Sequence, residues 1–102
     1  MTIRNDEQKA SLIEGGKRLA AVLNALKERV APGVTAEELD GLAEQMIRDG
    51  GDEPCFLGYT PEGANRPYPA TLCVSINDEV VHGIPNESVR TLKGGDIVGL
   101  DL

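Results

Sequence analysis

Tryptophan is absent, and one phenylalanine and two tyrosines make up the 3% aromatic content of the 102 residues. A core made from this chain therefore rests on Leu, Val, Ile and Ala packing. Basic residues are also scarce: 10 Lys and Arg face 17 Asp and Glu, for a formal net charge of -7. That balance excludes a general phosphate-binding surface, and no basic patch with interleaved aromatics offers a nucleic-acid platform. The charges are interspersed and mostly helical, which reads as a solvated acidic surface. No apolar run reaches the length of a membrane span, and Met1–Glu7 lacks the basic-then-apolar order of a leader, so a cytoplasmic protein is expected. Cys55 and Cys73 form neither a close metal-type pair nor a disulfide framework; both are expected as reduced, partly buried thiols. Histidine occurs once, at His82.

The periodicity then divides the chain. From about Asn5 to Val30, Leu12, Gly16, Leu19, Leu23, Leu26 and Val30 recur at helical spacing, a stripe expected to pack in the core. Gly16 on that stripe would admit a close backbone neighbour. Ala31-Pro32-Gly33 breaks the helix. Thr35-Ala36-Glu37-Glu38 has the form of a capping box opening a second helix, with Leu39, Leu42, Ala43, Met46 and Ile47 on its apolar face and Gly50-Gly51 at its end. Residues 52 to 70 form a long connection holding Phe56, Tyr59 and Tyr68, all the aromatics of the chain, set either to pack the core or to line a pocket. Strands are expected at 71–76, 79–82 and 97–102, with Asn77-Asp78 as a turn. The plan is an α+β domain, two helices followed by an antiparallel β-meander, with no internal repeat.

Two residues carry candidate chemistry. His82 sits before Gly83 and Pro85, a tight bend that would hold its imidazole at a strand end. There it can serve as a buried structural histidine, or it can ligate a metal, donate to a substrate carbonyl or shuttle a proton. Asp101 lies on the last apolar strand, pointing opposite to Leu100 and Leu102. It is either a solvent-facing edge residue or one ligand of a metal site whose other ligands are missing. Two such groups do not hold a catalytic cation, which wants at least three protein donors. Asp96, after Gly94-Gly95, reads as turn chemistry. Neither a Walker-type loop nor a nucleophile elbow is present.

The segment from Tyr68-Pro69-Ala70-Thr71-Leu72-Cys73 through Val80-Val81-His82-Gly83-Ile84-Pro85 closely resembles the type I methionine aminopeptidases. The likeness continues through Leu92 to Asp101 and reaches back to Pro32-Gly33-Val34-Thr35 and Phe56-Leu57-Gly58-Tyr59. It implies an incomplete pita-bread α/β fold, with residues 1–102 as the amino-terminal half of a catalytic domain. It implies removal of the initiator methionine from nascent proteins by metal-assisted hydrolysis, using two divalent ions (Co, Mn, Fe or Zn). By the same resemblance His82 contacts the substrate and steadies the transition state, and Asp101 is the first aspartate ligand of the metal pair. Phe56, Tyr59, Tyr68 and Cys73 then form the wall of the pocket for the methionine side chain. The implied partners are peptide amino termini beginning with Met, near the ribosome, and the complete enzyme is expected as a monomer.

The chain departs from the family pattern at 60–67, which reads as an insertion between the two pocket tyrosines. It also stops before the family's second aspartate, its metal-binding histidine and its two glutamates, so these 102 residues alone are expected to be inactive. An alternative of another class is a non-catalytic module of the same fold that binds peptides or pairs with a separately encoded half. A proline-directed peptidase of this fold is disfavoured by the residues around His82.

Overall fold

The computed structural model describes every residue from Met1 to Leu102. Its elements run α1 (Asp6–Arg29), α2 (Ala36–Asp49), β1 (Cys73–Ile76) and β2 (Val98–Asp101). The Asn5 side chain caps α1 by accepting from the Gln8 amide at 2.8 Å, with acidic residues in the first turn and Lys27 and Arg29 in the last. At α2 the expected capping box is present: Thr35 Oγ1 accepts from the Glu38 amide at 3.1 Å, and Glu38 Oε2 accepts from the Thr35 amide at 2.8 Å. Gly50 caps the other end, and Gly51 turns the chain away at φ 83°.

β1 and β2 pair antiparallel, with Cys73 opposite Asp101 and Val74 opposite Leu100. One face of this sheet carries Val74, Ile76, Val98 and Leu100 toward the helices. There they meet Val22, Leu26, Leu39 and Ala43 in the core, which Leu72 and Leu92 complete. A further tie has no signature in the sequence. The Gly33 amide donates to Leu92 O and the Leu92 amide to Val34 O, both at 2.8 Å, joining the turn between the helices to the segment before β2.

Three expectations are corrected. The leucine stripe of α1 packs only in its second half: Val22 and Leu26 are buried, whereas Leu12 and Leu19 remain 44% and 40% exposed. Length explains this, since 24 helical residues reach about 36 Å and the 14 of α2 about 21 Å, at ~1.5 Å per residue. Gly16 has no close neighbour at all. Second, no strand forms over 79–82, so the antiparallel sheet has two strands. The free edge of β1 is already taken, because the Val74 amide donates to Gly83 O at 2.9 Å and Val74 O accepts from Arg90 at 2.9 Å. Val80 and Val81 stand out in solvent. Third, Cys55 is exposed; only Cys73 is buried.

Candidate functional site

The sheet face opposite the core carries Cys73, Ser75 and Asp101 by the strand alternation and the register. Loops from both sides close over Cys73 and Ser75. Tyr68 lies across Cys73, its hydroxyl within reach of Leu72 O at 3.0 Å and Cys73 Sγ at 3.2 Å. Phe56 meets the Tyr68 ring edge-on, with centroids 6.2 Å apart and planes at 87°. Burial, and then the Cys73 neighbour, pushes the Tyr68 phenol up, so it stays a donor. Burial likewise pushes the Cys73 thiol up against the opposing Tyr68 hydrogen bond, and the charge of Asp101 adds to the rise. Cys73 is therefore a neutral, apolar wall and not an activated nucleophile.

From the other side comes the loop after β1. The Gly83 amide donates to Ser75 Oγ at 3.0 Å, and a Cβ at residue 83 would lie 2.1 Å from Val74 O, so only glycine lets this loop lie flat on the strand. Directly before it His82 is forced to φ 60°, the left-handed region. For a residue with a Cβ this costs about 1–2 kcal/mol, and such strain persists where the surroundings impose it. His82 is exposed, which excludes the buried structural histidine.

The long connection completes the site. The Gly58 amide donates to Tyr68 O at 2.9 Å and the Tyr68 amide to Tyr59 O at 2.8 Å, which closes residues 60–67 into a loop with a narrow neck. An Arg66–Glu87 ion pair and a 2.9 Å hydrogen bond from Asn86 to Pro69 O fasten this region to the segment after His82. The result is a cleft of about 800 Å³ whose lining includes Phe56, Tyr59, Tyr68, Cys73, His82 and Arg66. Five of the six residues singled out in the sequence thus share one cavity. All three aromatics border this cleft, Tyr59 with 61% of its surface exposed.

Asp101 is the sixth. It is exposed, across the strand pair from Cys73 and on the same sheet face, opposite to Leu100 and Leu102 as the alternation requires. Asp96 is a turn residue as expected: Asn77 donates to it at 3.0 Å and the Lys93 amide at 2.8 Å, and these bonds hold its carboxyl below the usual range. Arg66, Glu79 and Arg90 escaped the sequence reading, because nothing in their spacing separates them from surface charges.

The sequence profile of metallopeptidase family M24 matches residues 10–102. The chain belongs to metallopeptidase family M24. It is 45% identical over 83 residues to a methionine aminopeptidase of Aquifex aeolicus, covering 81% of this chain and 32% of that protein. It is 40% identical over 99 residues to one of Clostridium perfringens, covering 97% of this chain and 36% of that one. The crystal structure of methionine aminopeptidase from Rickettsia prowazekii superposes with a TM-score of 0.85 at 33% identity, covering 99% of this chain and 38% of that structure. This chain thus spans about a third of the length of the curated relatives it matches.

Membership of this metallopeptidase family implies a divalent metal. The residues present do not fit one by themselves: no three His, Cys, Asp or Glu side chains gather in this M24 chain, and Asp101 stands alone. No helix is long and apolar enough to cross a membrane.

Proposed function

We propose that these 102 residues are the amino-terminal part of a metal-dependent aminopeptidase that removes the initiator methionine from nascent proteins in the cytoplasm, close to the ribosome. The observation that carries this reading is the cleft itself, in which Phe56, Tyr59, Tyr68 and the thiol of Cys73 stand around His82. A methionine side chain is flexible and polarizable, and its sulfur is favoured at aromatic edges, so rings beside a neutral thiol are a suitable wall. His82, exposed at the cleft, reaches the carbonyl of the residue bound there and donates a hydrogen bond as negative charge develops on that oxygen. Asp101, on the same sheet face, serves as one carboxylate ligand of a pair of divalent ions (Co, Mn, Fe or Zn), the other donors coming from outside this span. The complete enzyme acts as a monomer.

A chain of full family length, loaded with Mn or Co, is expected to release methionine from a Met-Ala-type peptide. His82→Ala is expected to slow that release by ~100-fold, the scale of a lost proton-transfer or hydrogen-bonding group. Wild-type turnover in this variant would remove His82 from the reaction.

A further inference from the structure

Resting on that reading, we infer that Arg90 is the positioning residue of the site: its guanidinium clamps the strained loop that presents His82 to the cleft. The loop between β1 and Gly83 has few ties of its own. Beyond the turn at Asn77 it runs through Val80 and Val81, both well exposed, before reaching His82 in the left-handed region. Such a backbone conformation relaxes unless both flanks are fixed. Arg90 fixes both. One terminal nitrogen donates to Ile84 O at 3.0 Å, two residues after His82, and to Val74 O at 2.9 Å on β1. The other pairs with Glu79, three residues before His82. Glu79 in turn accepts from the Ile76 amide at 3.1 Å, where the strand ends. Arg90 itself is anchored from behind, since the Ala36 amide donates to its carbonyl at 3.0 Å at the start of α2.

The contacts come from a single planar group, whose fork reaches strand, entry and exit of the loop at once. A lysine ammonium is a point charge and does not span them. Arg90 makes no hydrogen bond to either pocket tyrosine; its side chain bonds Val74 O on β1, Ile84 O and Glu79.

The test uses the full-length, metal-loaded enzyme in a double-mutant cycle. Arg90→Gln is expected to lower kcat by about 10–100-fold with KM little changed, the loss expected when a reacting group is displaced by about 1 Å. Arg90→Lys is expected to fall between it and wild type. In the His82→Ala background Arg90→Gln is expected to cost nothing further, because the group it positions is gone. Equal losses in both backgrounds, or wild-type kcat in Arg90→Gln, overturn the clamp. Should Arg90→Gln fail to fold, Glu79→Gln opens the entry side alone and carries the same expectation. An independent readout is the His82 imidazole Cε1–H resonance, assigned by its loss in His82→Ala. It is expected to shift or broaden in Arg90→Gln and Glu79→Gln, and an unchanged resonance overturns the clamp whatever the kinetics. A wild-type enzyme that releases no methionine overturns the aminopeptidase reading instead, and the clamp is then decided by the resonance.

Discussion

Asp40 shows how one side chain sets a local structure that its neighbours in sequence do not disclose. It occupies the second turn of α2 and is 8% exposed, a position normally unfavourable for a carboxylate. Its Oδ1 accepts from the amides of Thr71 and Leu72 at 2.8 and 2.9 Å, fixing the chain as it enters β1. Burial pushes the carboxyl up, against those two hydrogen bonds. A raised folded-state pKa means that the folded chain binds the proton more tightly than the unfolded one. The contribution of Asp40 to stability is thus fullest below its unfolded value and is lost as pH rises through the folded value. Asp40→Asn keeps an acceptor without the charge, and Asp40→Ala leaves two amides unpaired. In urea unfolding of the full-length chain, Asp40→Ala is expected to lose about 1–3 kcal/mol at neutral pH. Asp40→Asn is expected to stay near wild type there, and the wild type should gain on it as pH is lowered toward 4. A pH-independent difference between the two would show that the Asp40 carboxyl binds its proton equally tightly in the folded and unfolded chain.

Among the elements, the helices were the most legible and the sheet edge the least. Thr35 and Glu38 announce α2 because a capping box is a local arrangement, satisfied within four residues. The apolar run Val80-Val81 reads as a strand for an equally local reason. What overrides it is remote: Gly83 and Arg90 already hold the edge of β1 that this strand would need. The cleft divides in the same way. Its five residues follow from the family resemblance, but their convergence depends on the narrow neck at Gly58, Tyr59 and Tyr68, a pairing with no signature in spacing. Gly83→Ala sets a methyl group against Val74 O, and the loop must lift from β1 or the strand must move. Overpacking of this kind costs about 1–3 kcal/mol. Thermal unfolding of the full-length chain is expected to report that loss, together with slowed methionine release as His82 is displaced. Gly99→Ala on the neighbouring strand is the control, since its new Cβ would meet nothing closer than 3.7 Å and should pass almost unnoticed. Wild-type behaviour of both variants would mean that the loop does not lie against β1.

At the scale of the molecule, the chain has more surface than its mass explains. Its 10.9 kDa carry 7049 Å² of accessible area, where a self-contained globule of that mass exposes about 5,600 Å². Its radius of gyration is 14.9 Å against the ~13 Å usual for 100 residues. Only 15 of 102 residues are buried, too few to offset the ordering of a chain this long with much margin. The excess is apolar and contiguous in places. Leu12, Ile13 and Leu19 stand out on α1, and a groove of about 470 Å³ between the helices is lined by Leu19, Val22, Met46, Ile47 and Leu102. The sheet has two strands, and a lone pair of strands is marginal and presents unpaired edges. If these surfaces are meant to be covered by the remainder of a catalytic domain, the 102-residue chain made alone should behave as an incomplete core. Sedimentation is expected to show association, a hydrophobic dye to bind, and heat to give a broad, weakly cooperative transition. The full-length chain should sediment as one species, exclude the dye and melt sharply. A monodisperse, sharply melting 102-residue chain would instead favour a free-standing binding module of the same fold, because the exposed face of α1 would then have to be stable in water without the second half.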